Sequence, residues 1–143
     1  MIYVDSNYWI YWLDSRLPEH GHVMQVMRSA IREGIAMNYV TLLEVAHYLR
    51  SLPKQEFAEL TGTILNLSTL TLYDLDGRVS DLALAMVTER AGQGLGSRDC
   101  AILATMKLSG VRKIATHDRA FEAVKGIEVV DAIPSRSSQM RSL

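Results

Sequence analysis

Four carboxylates occupy positions where a chain alternating strand and helix places its chemistry. Asp5 follows the apolar run Ile2-Tyr3-Val4, and Asp118 follows Ile114-Ala115-Thr116. Glu44 falls in the first turn after the apolar run 35–40, and Asp99 in the first turn after the glycine-rich stretch Gly92-Gln93-Gly94-Leu95-Gly96-Ser97. Each has a plain structural reading taken alone. Thr41-Leu42-Leu43-Glu44 has the form of a capping box, which would make Glu44 a helix cap. Asp99 suits a helix dipole, Asp118 an N-cap, and Asp5 a turn. Convergence changes the reading. At an effective dielectric near 20, one close pair of like charges costs about 4 kcal/mol, so such a cluster needs a counter-charge or shifted protonation. Hard divalent cations supply that charge through oxygen ligands. Mg²⁺ or Mn²⁺ held by carboxylates activates water and stabilises in-line displacement at a phosphodiester. The four histidines have no ligand spacing, and one cysteine cannot build a zinc site.

Positioning these acids requires a particular frame. Short apolar runs at 2–4, 35–40, 70–73, 112–116 and 127–130 predict five strands. Helical periodicity predicts helices over 8–13, 23–32, 41–49, 54–67, 79–91, 98–108 and 120–124. Strands alternating with helices imply an α/β domain with a mainly parallel sheet. All strand C-termini of such a sheet share one edge, and ligands bind outside that edge. Asp5, Glu44 and Asp118 reach it by topology. Asp99 joins them if its helix starts on the same side, as it must to feed the strand ending at 116.

The remaining composition bounds the class. With 143 residues, 48% hydrophobic and 22% charged, the chain suits one globular domain and excludes disorder and disulfide-stapled miniproteins. The fold is expected over 1–132, with a Ser/Arg-rich flexible tail over 133–143. Fifteen Lys and Arg against sixteen Asp and Glu argue against a broad basic surface for duplex DNA. No apolar run suggests a membrane span, no signal-peptide pattern opens the chain, and the lone Cys100 suits a reducing compartment. A cytoplasmic protein without a membrane partner is the expectation.

The residues also carry a resemblance. Ile2-Tyr3-Val4-Asp5-Ser6-Asn7 resembles the opening strand of PIN-domain nucleases, and Thr41-Leu42-Leu43-Glu44-Val45 resembles their second acidic motif. Arg98-Asp99-Cys100-Ala101-Ile102-Leu103-Ala104 is similar to the third motif helix, and Thr116-His117-Asp118-Arg119-Ala120-Phe121 to the terminal motif. The similarity runs over about residues 1–132, at a size matching VapC-type toxins of VapBC toxin–antitoxin pairs. It implies a three-layer α/β/α fold around a five-stranded sheet and a Mg²⁺- or Mn²⁺-dependent endoribonuclease. It also implies a homodimer and an antitoxin partner. Mapped by motif, Asp5, Glu44, Asp99 and Asp118 form the acidic site. Asp5 and Asp99 are the first choices as direct metal ligands; Glu44 and Asp118 bind through water or orient the nucleophile. Asn7 and Thr116 are candidate supports, and Arg98 and Arg119 candidate contacts to RNA phosphates. Many relatives carry an acid two residues after the last motif aspartate; here Ala120 stands there.

Other features resolve less sharply. Asp74-Leu75-Asp76-Gly77 fails as a calcium loop, because Arg78, Val79 and Ala85 occupy ligand positions; a loop with a helix cap is the better reading. The 92–97 glycines follow a helix rather than a strand, unlike a dinucleotide fingerprint. The segment 8–13, Tyr-Trp-Ile-Tyr-Trp-Leu, is apolar almost all round and reads equally as core or as interface. A non-catalytic PIN fold kept for RNA or protein contacts is the alternative function. A dehalogenase-like phosphatase is disfavoured because Asn7 stands where its second acid belongs. A receiver is disfavoured because Lys113 lies on the wrong side of its strand.

Overall fold

The computed structural model describes residues 1–135. Its elements run β1 (Ile2–Val4), α1 (Ser6–Leu13), α2 (His20–Glu33), β2 (Ile35–Asn38), α3 (Tyr39–Leu49), α4 (Lys54–Leu65), β3 (Leu70–Tyr73), α5 (Gly77–Glu89), α6 (Ser97–Ser109), β4 (Lys113–Ala115), a 3-10 helix (Arg119–Ala123) and β5 (Glu128–Val130). The strands form one sheet in the order β3-β2-β1-β4-β5, and every pairing is parallel.

Strand periodicity divides the core. On β1, Ile2 and Val4 face α1 to α4, together with Tyr8, Trp9, Val23, Met27, Val45 and Ile64. Tyr3 faces the opposite layer, where Met86, Ile102, Met106 and Phe121 pack. Three layers result, and the central strand is buried on both sides, as an all-parallel sheet requires. Gly34, at φ +108°, turns α2 into β2; a Cβ there would meet Met1 Cγ at 3.3 Å. Gly110, at φ +74°, closes α6 in the left-handed conformation that glycine adopts cheaply.

Several boundaries differ from the sequence expectation. β2 stops at Asn38, and α3 begins at Tyr39 rather than 41. Asn38 is the true N-cap: its backbone is extended and its side chain accepts from Val40 N at 3.0 Å. The capping box expected at Thr41–Glu44 therefore does not form. The Thr41 hydroxyl instead meets Tyr3 OH at 2.7 Å, leaving Glu44 free to face another element. Segment 120–124 is a 3-10 helix over Arg119–Ala123, capped by Asp118 as expected for that residue. Asp76 caps α5 by accepting from Val79 N, so the Asp74–Gly77 stretch is the loop and cap that its residues imply.

Segment 8–13 lies in α1. Tyr8 and Trp9 are fully buried, and Trp9 Nε1 donates to Val4 O at 3.1 Å. Trp12 packs edge-on against Trp9 with centroids 5.9 Å apart. Past β5, Ile133 is buried against the same core, so packing continues to at least that residue. Most of the tail expected to be flexible, 136–143, lies outside the described residues.

Candidate active site

The direction of strand order reverses at β1. β2 and β3 lie to one side of it, β4 and β5 to the other. Asp5 and Thr116 leave the C-terminal ends of β1 and β4 at this switch point, the ligand-binding position of open α/β sheets.

Asp5 is 1% exposed, and each of its carboxylate oxygens accepts a hydrogen bond. Oδ1 accepts from Ser6 N at 2.8 Å, and Oδ2 from Thr116 Oγ1 at 2.8 Å. Burial pushes its carboxyl above the ordinary value, with Glu44 adding to the rise. The Thr116 and Ser6 hydrogen bonds and the Arg98 charge oppose it. Thr116 Oγ1 also accepts from Asp118 N at 3.0 Å and from Asn7 Nδ2 at 3.3 Å, while Asn7 Oδ1 accepts from His117 N at 3.3 Å. Asn7 and Thr116 thus lace the loop after β1 to the loop after β4, with Asp5 between them.

The second group of acids meets over Arg98. Its Nη1 donates to Glu44 Oε1, and its Nη2 to Asp99 Oδ1 at 2.7 Å. Burial disfavours the charge on Arg98, but the hydrogen bonds to Glu44 and Asp99 and the field of Asp5 outweigh it and raise its pKa above the usual arginine value. Glu44 Oε1 also accepts from Ser6 Oγ, which links it to Asp5. Asp99 Oδ2 accepts from Gly96 N at 3.2 Å, anchoring the glycine-rich loop to the start of α6. Asp5, Glu44 and Asp99 therefore form one connected group around a guanidinium. Asp118 stands outside it: its Oδ1 accepts from Ala120 N, and it reaches Asp5 only through Thr116.

Sequence reasoning missed two things here. Ser6 lay inside the first motif without a role, yet it bridges Asp5 and Glu44. The motif makes Arg98 a candidate phosphate contact, and the structure adds pairs with Glu44 and Asp99 that offset the charge of its own site. The signal for the second was its place beside Asp99, in the motif itself. Among the described residues Arg119 makes one exposed ion pair, with Glu122 at 3.8 Å, and His117 pairs with Asp131 at 2.8 Å.

Among the described residues, no three His, Cys, Asp or Glu side chains stand close enough to hold a metal ion as placed. The donor chemistry nonetheless fits a hard divalent cation, since the group is all carboxylate and hydroxyl oxygen. Arg98 is a stand-in cation for that charge. Arg98 and Glu44 side chains are 35% and 32% exposed, so both have room to reorient.

The model of the PIN domain family matches residues 2–127. The chain belongs to the PIN domain family. Solved structures share the fold of this PIN domain. Mycobacterium tuberculosis VapC20, described as a sarcin-ricin loop cleaving toxin, superposes with a TM-score of 0.77 at 16% identity, over 90% of this chain and 98% of its own. FitAcB from Neisseria gonorrhoeae gives 0.70 at 21% identity, over 90% and 96%. DNA-bound VapBC from Salmonella typhimurium gives 0.69 at 20% identity, over 92% and 98%. No match was found among curated proteins. Within this PIN domain, the acidic motifs fall on four separate elements that only the parallel sheet brings to one edge.

Proposed function

We propose that this PIN domain is a metal-dependent endoribonuclease, the toxin of a toxin–antitoxin pair acting in the cytoplasm. One observation carries the reading: at the sheet's switch point Glu44 and Asp99 pair with one guanidinium, and Ser6 links Glu44 to the buried Asp5. The likeness to a sarcin-ricin loop cleaving toxin supports RNA as the substrate, and the likeness to VapBC and FitAB assemblies supports an antitoxin partner. No helix among the described residues is long and apolar enough to cross a membrane.

Asp5 and Asp99 would hold Mg²⁺ or Mn²⁺, with Glu44 and Asp118 acting through water; the ion supplies charge compensation at the phosphoryl oxygens and a more acidic water. The chain's own residues do the rest. Ser6 N and Thr116 fix the orientation of Asp5, and Asn7 holds the two loops together. Arg98, once released from its acids, and Arg119 face the phosphate. Water adds to phosphorus and gives up a proton, the P–O3′ bond breaks and the 3′ oxygen takes up a proton, and the products carry 5′-phosphate and 3′-hydroxyl ends.

Total cellular RNA incubated with wild type and Asp99→Asn, with end-mapping, tests this. Wild type should cut at defined sites with Mn²⁺ and not in EDTA, and Asp99→Asn should fold yet lose at least about 100-fold in rate. Equal cutting by both, or cutting in EDTA, removes the acidic site from the argument. The Arg98 pairing favours one second reading, a PIN fold kept for binding, because a neutralised cluster is stable without catalysis. That reading predicts no cleavage by either protein and no metal binding.

A further inference from the structure

A local cluster of cations lies at the edge of the sheet opposite the acids. There, beneath the starts of β4 and β5, a cavity of about 330 Å³ opens between α5, α6 and the connection leading to β5. Four cationic side chains line it, Arg90, Lys107, Arg112 and Lys125, and no carboxylate does. None of the four makes an ion pair among the described residues. In a chain of net charge −1 this is a marked local excess. Its cost is visible at Arg90. Nη1 donates to Gln93 Oε1 at 3.1 Å, but Nε is buried with no acceptor. Leaving such a donor unmet is costly, the more so on a charged group.

The floor is apolar, from Met86, Leu103, Met106 and Val124, all buried. Small-molecule sites run from about 300 to 1,000 Å³, so the space suits one compact ligand rather than a docked helix. A guanidinium fork favours phosphate, and two lysines add point charges around it.

We propose that this cavity binds a phosphorylated nucleotide, its phosphates on the cationic rim and its ring on the apolar floor. The nucleotide is either free or the phosphorylated end of an RNA strand. The site is separate from the acidic one, and its binding does not rest on the nuclease reading.

The test is titration calorimetry and thermal melting on the full chain in EDTA, so that the acidic site takes no part. ADP and inorganic pyrophosphate should bind and raise the melting temperature, and adenosine should not. Arg90→Gln should weaken ADP at least about tenfold, the loss of one charge-assisted hydrogen bond. Lys107→Gln/Arg112→Gln changes two exposed side chains and keeps the test valid if Arg90→Gln folds poorly; it too should weaken ADP. Asp99→Asn should bind ADP as wild type does. Displacement of ADP by a 5′-phosphorylated hexaribonucleotide, and not by its 5′-hydroxyl form, assigns the RNA end; no displacement by either assigns the free nucleotide. Absence of ADP and pyrophosphate binding at millimolar concentration overturns the proposal. So does binding untouched by the lysine and arginine changes, binding lost in Asp99→Asn, or binding of an oligoglutamate peptide in place of ADP.

Discussion

Arg98 concentrates the residue-scale physics of the acidic site. Three carboxylates within hydrogen-bond reach of one another or of a shared partner would repel, and the guanidinium offsets that repulsion from inside. On the proposed function, a metal held by the same acids would compete with it for their charge. Arg98→Gln therefore has two opposed effects. Metal-free protein should lose about 1 kcal/mol, a discounted value because the side chain is 35% exposed and solvent screens the pairs. That is a fall of about 3 °C in melting temperature for a chain of this size. The same variant should bind Mn²⁺ more tightly and gain more stability from it than wild type, because the competing cation is gone. Melting curves with and without Mn²⁺ read both effects. A variant with unchanged metal-free stability and weaker Mn²⁺ binding would make Arg98 a support for the metal and not its rival.

At the scale of elements, what was legible follows from periodicity. The five strands, their parallel sense and the strand-end position of the acids all come from apolar runs separated by helical spacing. What was not legible depended on which of two local polar groups won a backbone. Thr41-x-x-Glu44 satisfies the capping rule on paper, but Asn38 lies three residues earlier and takes the cap. That single shift starts α3 two residues before the expected position and turns Glu44 toward Ser6 and Arg98. The even reading of 8–13 had a similar cause: pattern alone cannot say which aromatics a sheet will cover, and here Tyr8 and Trp9 went under it. The end of α1 carries a further device. Asp14 accepts from Arg16 Nε at 2.9 Å, Arg16 N at 3.1 Å and Tyr48 OH at 3.0 Å, tying α1 to α3. The Arg16 hydrogen bond holds the Asp14 carboxyl down from 3.8 to about 2. The unfolded chain thus binds this proton first as pH falls, and the stabilisation is present above pH 3.8 and lost on the way to about 2. Asp14→Asn should cost about 1 kcal/mol at pH 7, discounted because Arg16 is 77% exposed, and the gap to wild type should close as pH falls through that window. A gap that persists at the acid end would assign the loss to altered packing between α1 and α3.

The whole molecule presents three surfaces of different character: an acidic C-terminal edge, a cationic N-terminal edge and an apolar flank. The flank bears on assembly. The homodimer expected from the family resemblance has α1 as one candidate interface, but α1 buries Tyr8 and Trp9 within the monomer. The exposed apolar side chains lie elsewhere. Leu43 on α3, Leu75 before α5 and Leu84 on α5 are 68%, 52% and 67% exposed. Leu75 and Leu84 border an open apolar groove with Val40 and Val87, beside Arg98. Leucines in water sacrifice burial worth about 1.5–3 kcal/mol each when fully covered, so if the chain dimerises, the groove at Leu75 and Leu84 is the face we propose a second copy would cover. Mass measurement in solution decides. Wild type should be a dimer, and Leu84→Asp should dissociate it with little change in monomer stability, since the replaced side chain is already in water. Trp12→Ala should behave in the opposite way, lowering the melting temperature through lost packing against Trp9 while leaving the mass at the dimer value. A monomeric wild type, or a dimer that survives Leu84→Asp and breaks with Trp12→Ala, would return the interface to α1. Because the groove adjoins Arg98, a second copy seated there would also limit how far that side chain swings, so Leu84→Asp should then alter the Mn²⁺ response along with the mass.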